Sequence, residues 1–143
     1  KEWMPKRVMN NGVDWKNCPA LDIREYIYDM PTVMAAADIV IGRAGSATCN
    51  EIGASGTPCI LIPSPNVTNN HQEKNARVLE AAGGAVVVLE KDCTPGKLYE
   101  LIRSLLADED RRREMSRKLH TMVRLDSAER ICDIVEQLTQ SEK

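Results

Sequence analysis

The sequence predicts an α/β domain, a parallel sheet with helices on both faces, and three observations predict it. Short continuous apolar runs recur at residues 38–41, 59–62 and 85–89, as in strands buried on both faces. Segments of helical character separate them, so strand and helix alternate from residue 22 to 105, the pattern of βα units. The punctuation fits as well: glycine or proline stands at the ends of most of these segments.

Taken in order, residues 2–9 read as a short helix with Pro5 near its first turn, and Asn10-Asn11-Gly12 as a stop. Residues 22–27, rich in Ile and Tyr, read as a strand, and Pro31 opens a short helix through Ala36. The run Asp38-Ile39-Val40-Ile41 closes at Gly42 as a buried strand. A small-residue turn follows, and then a helix over 47–55. Gly56 stops that helix and Pro58 lies two residues beyond. Residues 59–62 form the next strand, residues 63–70 a polar loop, and residues 71–82 a helix that Gly83-Gly84 ends. After a strand at 85–89, Thr94 caps a helix with Pro95 at its first position. Leu98, Leu101, Ile102 and Leu105 form its apolar stripe. Residues 108–122 are a charged helix. Asp126-Ser127-Ala128-Glu129 fits a capping box ahead of a last helix that carries Ile131, Cys132, Val135 and Leu138.

Composition narrows the function classes. At 143 residues the chain is expected to be a single domain. With no Phe, its core is built from Ile, Leu, Val, Ala and Met. A net charge of -2 gives no basic field for nucleic acid. The cysteines are Cys18, Cys49, Cys59, Cys93 and Cys132; their odd count and the lack of a C-x-x-C pair argue against a disulfide framework and a zinc site, and for a reducing compartment. No apolar run reaches transmembrane length and no signal peptide is visible. The opening at Lys1, without Met, leads us to expect a fragment.

Ligands of open parallel sheets bind at the carboxyl ends of the strands, which points to three turns. In the turn after the strand at 38–41, Gly42 and Gly45 permit a sharp bend and close approach of a ligand. The following helix start offers backbone N–H groups to a phosphate. Thr48 adds a hydroxyl, and Glu51, one turn into the helix, suits a ribose diol. A structural reading stands beside this one: Thr48-Cys49-Asn50-Glu51 is also a capping box, and Arg43 is then a surface or structural cation. The loop at 63–75 is long for a βα connection. Gln72 and Asn75 share a helix face there and offer amides to sugar hydroxyls, with His71 beside them. Again a structural reading stands beside it, Asn70 capping the helix and Glu73 completing the box. The third turn is Tyr26-Ile27-Tyr28-Asp29-Met30. No paired carboxylates and no nucleophile–base set present themselves as a catalytic constellation. The mixed charges of residues 108–118 read as a solvated helix face.

Several motifs occur together and in order: Asp38-Ile39-Val40-Ile41-Gly42-Arg43-Ala44-Gly45-Ser46-Ala47-Thr48, Glu51, Gly56-Thr57-Pro58, Ile62-Pro63, and His71-Gln72-Glu73-Lys74-Asn75-Ala76. In these the chain resembles the MurG family, the bacterial UDP-N-acetylglucosamine:lipid-linked N-acetylmuramoyl-pentapeptide transferases. The resemblance covers residues 22–140, and is specific over 26–75 and generic after Gly84. It implies the C-terminal half of a GT-B glycosyltransferase, a Rossmann-like donor-binding domain, and an inverting enzyme that needs no metal at its donor site and no cofactor. By resemblance, the Ile27 backbone pairs with uracil, with Tyr26 beside the ring and Met30 in the same pocket. Ser46, Ala47 and Thr48 meet the diphosphate and Glu51 takes the ribose hydroxyls. Gln72, helped by Asn75 and His71, holds the N-acetylglucosamine. Arg43, Cys49 and Asn50 complete the substrate-binding set, and no catalytic residue or metal ligand is expected in this chain.

The resemblance also implies partners and a place. They are UDP-N-acetylglucosamine, the family's N-terminal domain, a lipid-linked acceptor reached through that domain, and no nucleic acid. The place is the cytoplasmic face of the membrane, held peripherally. The chain departs from the family pattern in lacking the N-terminal domain and the glycine-rich loop that starts the C-terminal one. Ser46 and Cys49 also stand where relatives carry small or apolar residues. The expectation is weak donor binding, no transfer by this chain alone, and an unpaired sheet edge. The alternative is a free-standing UDP-sugar-binding subunit that works with a separate partner chain, as the small subunit of the eukaryotic dolichol-linked chitobiose transferase does. A receiver-like module is disfavoured, because the strand ends carry Gly42 and Pro63 rather than an acidic cluster.

Overall fold

The computed structural model describes residues 14, 17–124 and 126–141. The expected helix at 2–9 and the turn at Asn10-Asn11-Gly12 lie outside them. The chain divides into two compact units, Lys1–Met30 and Pro31–Lys143.

Within the first unit, residues 22–27 form no strand, which corrects the expectation. Strand propensity reports fitness for a half-buried pleated surface, and this segment, half-buried only at Ile23 and Ile27, has no ladder partner among the described residues. Arg24 pairs instead with Asp22, two residues away. Tyr26 and Tyr28, 68% and 93% exposed, meet each other edge to face at 4.8 Å.

The second unit alternates strand and helix as expected. Helix α1 (Met30–Ala36) is followed by β1 (Val40–Gly42), α2 (Ser46–Ser55), β2 (Cys59–Leu61), α3 (His71–Ala81) and β3 (Ala85–Val87). Helices α4 (Pro95–Ala107), α5 (Glu109–His120) and α6 (Ser127–Ser141) complete it. Short 3-10 turns precede α3 at Thr68–Asn70 and follow β3 at Glu90–Asp92. The three strands are parallel in the order β1-β2-β3. Their register pairs Gly42 with Leu61 and Leu61 with Val87, so the carboxyl ends stand level.

Alternation along the strands divides the core between two faces. On one face Val40, Cys59, Leu61, Ala85 and Val87 pack with Cys49 and Ile52 of α2 and Ala76 and Leu79 of α3. On the other, Ile60, Val86 and Val88 pack with Leu105 of α4 and Met115 of α5. The stripe Leu98, Leu101, Ile102 lies against that second cluster. Ile52, Ile60, Leu61, Leu105 and Leu119 are among the largest fully buried side chains, each contributing roughly 1.5–3 kcal/mol relative to exposure.

Local chemistry sets the helix ends. Gly56 takes the left-handed conformation (φ 66°) that few other residues adopt, and its N–H closes α2 on Ile52 O. Thr94 Oγ1 accepts from Lys97 N–H at 3.3 Å with Pro95 at the first position, as expected. Asp108 Oδ1 likewise caps α5 through Arg111 N–H at 2.9 Å. The apolar stripe of α6 stays open: Ile131, Ile134 and Val135 are each more than half exposed. Among the described residues, no helix is long and apolar enough to cross a membrane.

Candidate functional site

Two of the three strand-end turns lie in the second unit. The first joins β1 to α2. Gly45 is the N-cap of α2, in extended conformation and without a side-chain cap. The first helical bond runs from Cys49 N–H to Gly45 O at 2.9 Å. The N–H groups of Ser46, Ala47 and Thr48 therefore precede the ladder, where a helix has donors to offer. This overturns the capping-box reading. Because the helix starts at Ser46, Thr48 sits inside its first turn and Glu51 is not needed to close the helix end.

Of the two purposes expected of Gly42 and Gly45, the sharp bend is not what they serve. Among the described glycines only Gly56 and Gly83 have positive φ. A Cβ at Gly42 would meet nothing within 4 Å, and at Gly45 only Thr48 Oγ1 at 3.9 Å. The glycines leave the backbone approachable rather than bending it.

Helix α2 buries Cys49, Ile52 and Gly53 against the sheet, and the opposite face carries Ala47, Asn50, Glu51 and Ala54, all exposed. The expectation for Cys49 needs correcting. Its side chain is 8% exposed in the core and burial pushes its thiol pKa up, so it presents nothing to a ligand. Asn50 and Glu51 line a cleft of about 610 Å3 with Ala54, Met122, Val123, Arg124 and Ser127. The α5–α6 connection forms one wall of this cleft. It is pressed close to α2, since a Cβ at Gly53 would lie 2.1 Å from Val123 Cγ2.

The second turn joins β2 to α3. Asn70 occupies the N-cap of α3 in the left-handed region (φ 52°), but its side chain caps no N–H. Its amide donates instead to Glu73 at 2.7 Å. That bond, followed by the one from Arg77, holds the Glu73 carboxyl below its ordinary range. His71 Nδ1 lies 2.9 Å from Thr68 O, a carbonyl that only accepts, so Nδ1 is the donor of that bond. Gln72 Oε1 accepts from Ser64 N–H at 2.9 Å, and Asn75 Nδ2 donates to Ala44 O at 3.1 Å. Each bond fixes one end of an amide and leaves the other group for a ligand: a donor on Gln72 and an acceptor on Asn75.

Arg43 Nη1 donates to Ile62 O at 3.1 Å and also reaches Glu90. It thereby joins the turns that follow all three strands. The structure thus brings Arg43, Ser46, Ala47, Thr48, Asn50, Glu51, His71, Gln72 and Asn75 to the β1–α2 and β2–α3 turns of one unit. Tyr26, Ile27 and Met30 belong to the first unit: Tyr26 is exposed, Ile27 half-buried, and Met30 opens α1.

Sequence reasoning missed Glu90, Ser64, and the cleft wall of Met122, Val123 and Arg124. No local pattern marks them. A usable signal did exist for Glu90: parallel strands in register place Arg43, Ile62 and the residues just past Val87 at one level.

Comparison with known proteins identifies the family and the fold. The sequence profile of the glycosyltransferase family 28 C-terminal domain matches residues 4–135. A UDP-N-acetylglucosamine--N-acetylmuramyl-(pentapeptide) pyrophosphoryl-undecaprenol N-acetylglucosamine transferase of Acetivibrio thermocellus is 46% identical over 123 residues, which are 86% of this chain and 33% of the relative. The enzyme of the same name from Caldanaerobacter subterraneus subsp. tengcongensis is 48% identical over 120 residues, 84% of this chain and 33% of the relative. The crystal structure of Acinetobacter baumannii MurG superposes with a TM-score of 0.77 at 24% identity, over 92% of this chain and 39% of that one, a likeness of fold. The chain spans about a third of the length of these curated relatives. By the extent of the profile match and the agreement of fold, the chain belongs to the glycosyltransferase family 28 C-terminal domain family.

Proposed function

We propose that this chain is the donor-binding domain of a glycosyltransferase that moves N-acetylglucosamine from UDP-N-acetylglucosamine to a lipid-linked N-acetylmuramoyl-pentapeptide acceptor in peptidoglycan synthesis. The observation that carries the reading is the start of α2. Three N–H groups precede the helical ladder, and one turn on, the exposed Glu51 faces a cleft and is free of capping duty. A diphosphate at the first and a ribose diol at the second is the arrangement such donors call for.

In this reading Ser46, Ala47 and Thr48 hold the diphosphate, Glu51 accepts from the ribose hydroxyls, and Asn50 lines the same cleft. Gln72, Asn75 and His71 orient the sugar, and Tyr26, Ile27 and Met30 of the first unit keep the uracil role that the resemblance implies. Transfer is inverting: an acceptor hydroxyl attacks the anomeric carbon, the bond to UDP breaks, and the hydroxyl proton passes to a base in the acceptor-binding domain. The charge growing on UDP meets the N-terminus of α2, a dipole already aimed before reaction. In this reading the acceptor site and the base lie outside this chain, which spans about a third of its relatives' length, so the chain by itself binds donor and transfers nothing. The complete enzyme works at the cytoplasmic face of the membrane, held there peripherally.

Calorimetric titration of the chain with UDP-N-acetylglucosamine tests this, with UDP-glucose, ADP and Glu51→Ala as controls. The expected result is saturable binding that prefers uridine and weakens by about tenfold or more in Glu51→Ala, the scale of a lost charge-assisted hydrogen bond. A folded chain that ignores millimolar UDP-N-acetylglucosamine, or a Glu51→Ala variant that binds as the parent does, refutes it.

A further inference from the structure

Arg43 and Glu90 are 47 residues apart in sequence, yet they pair across the carboxyl end of the sheet. The same Arg43 Nη1 also donates to Ile62 O at 3.1 Å. One guanidinium nitrogen therefore holds the turn after β1, the residue after β2 and the 3-10 turn after β3. The next residue, Ala44, is fully buried, and its carbonyl takes the Asn75 amide of α3 at 3.1 Å. Residues 43 and 44 are thus gripped from two sides, immediately ahead of the Gly45 cap and the free N–H groups of Ser46, Ala47 and Thr48.

Global stability is a poor account of the Arg43–Glu90 pair. The two side chains are 52% and 45% exposed, and an ion pair this open to water adds little to folding. Its geometry does something else. No side-chain packing seats Gly42 and Gly45, where an added Cβ would meet nothing closer than 3.9 Å, so between the backbone bonds at Gly42 O and Gly45 O the position of the turn depends on its tethers. A phosphate-binding N–H set works only if its donors are aimed before the ligand arrives. We propose that Glu90 is a positioning residue of the donor site, one that acts through Arg43 to aim the α2 N-terminus at the diphosphate. This rests on the donor-site reading above. It also assigns Arg43 to the scaffold of the site rather than to the phosphate itself, because its charge is already committed to Glu90.

The test uses the chain with UDP and uridine as probes, in Glu90→Leu, Glu90→Gln, Arg43→Gln and the Arg43→Gln/Glu90→Leu double variant. Affinity is read by calorimetry for UDP and ligand-observed NMR for uridine, and hydrogen exchange of residues 45–48 is followed without ligand. Glu90→Leu is expected to weaken UDP roughly five- to tenfold, to leave uridine binding unchanged, and to speed exchange in the turn. Glu90→Gln, whose amide oxygen still accepts from Arg43, is expected to lose less, and the double variant to lose no more than Arg43→Gln. Equal losses for UDP and uridine would make the pair an ordinary scaffold contact and overturn the proposal. Tighter UDP binding in Glu90→Leu would overturn it too, by showing that Arg43 is a phosphate ligand which Glu90 restrains. Unchanged UDP affinity and exchange in Glu90→Leu overturn it while the donor-site reading stands; a folded parent chain that binds neither UDP nor uridine overturns both.

Discussion

Gly53 lies on the buried side of α2, one turn from Cys49, where the α5–α6 connection crosses the helix. Replacing a helix-interior glycine by alanine ordinarily stabilises a helix by about 1 kcal/mol. Here the new methyl would stand 2.1 Å from Val123 Cγ2 and 3.3 Å from Val123 Cβ. The first contact is impossible without movement and the second is tight but tolerable. Overpacking of this kind costs roughly 1–3 kcal/mol, so Gly53→Ala is expected to lose about 1 kcal/mol net once the helical gain is subtracted. Val123→Ala removes the clashing methyl and keeps the Cβ. In that background Gly53→Ala should become stabilising by about 0.5–1 kcal/mol, for a coupling of about 2 kcal/mol between the two sites. Urea unfolding of the four chains, followed by circular dichroism at constant m-value, measures the cycle. A Gly53→Ala variant as stable as its parent with Val123 intact, or an effect that does not change sign with Val123→Ala, would refute the reasoning. It would mean that the wall of the Glu51 cleft is not seated on Gly53.

Two further outcomes concern the core. Thr57 is 3% exposed and its Oγ1 donates to Met34 O at 2.7 Å, beside the Ala37 N–H at 3.2 Å; Thr57→Val should cost about 0.5–1.5 kcal/mol by removing the shorter of these two bonds, and a urea midpoint that does not move would show that the hydroxyl adds nothing to the Ala37 bond. Burial raises the Cys59 thiol to about 12 from 9.0, with neighbouring Cys49 adding to the rise. Because the folded pKa lies above the unfolded one, this thiol's contribution is complete below pH 9.0 and is lost as pH climbs toward about 12, with a slope approaching about 1.4 kcal/mol per pH unit. Alkaline unfolding series of the parent and Cys59→Ala should diverge in that window, and parallel slopes would count against a desolvated thiol.

The legible part of this protein was local. Strands at Val40, Cys59 and Ala85, the left-handed stop at Gly56, and the Thr94–Pro95 start were all readable within a few residues, because propensity and capping act over one or two helical turns. The motif run from Asp38 to Ala76 likewise pointed to the family. Where a short pattern satisfied two local rules, sequence could not choose between them. Thr48 and Glu51 spelled a capping box as clearly as a ligand pair, and the box is excluded only by where α2 begins, at Ser46, with Cys49, Ile52 and Gly53 turned to the buried side. Asn70 and Glu73 do not form the capping box that their spacing spelled; with the Asn70 backbone left-handed, their side chains bond to each other instead.

By itself, then, the sequence determined where the three strands and the helices between them fall in the second unit, and that those strands run parallel. Tertiary structure alone decided which way each side chain in the turns between them faces. Cys49 turns inward, Glu51 turns outward, and Arg43 is held by a carboxylate 47 residues further on. Residues 22–27 show the same division from the other side, since their strand-like composition needed a neighbouring strand and found none among the described residues. The reason is physical: a hydrogen-bonded turn is complete within its own few residues, whereas ladders, ion pairs and burial exist only once distant segments have met.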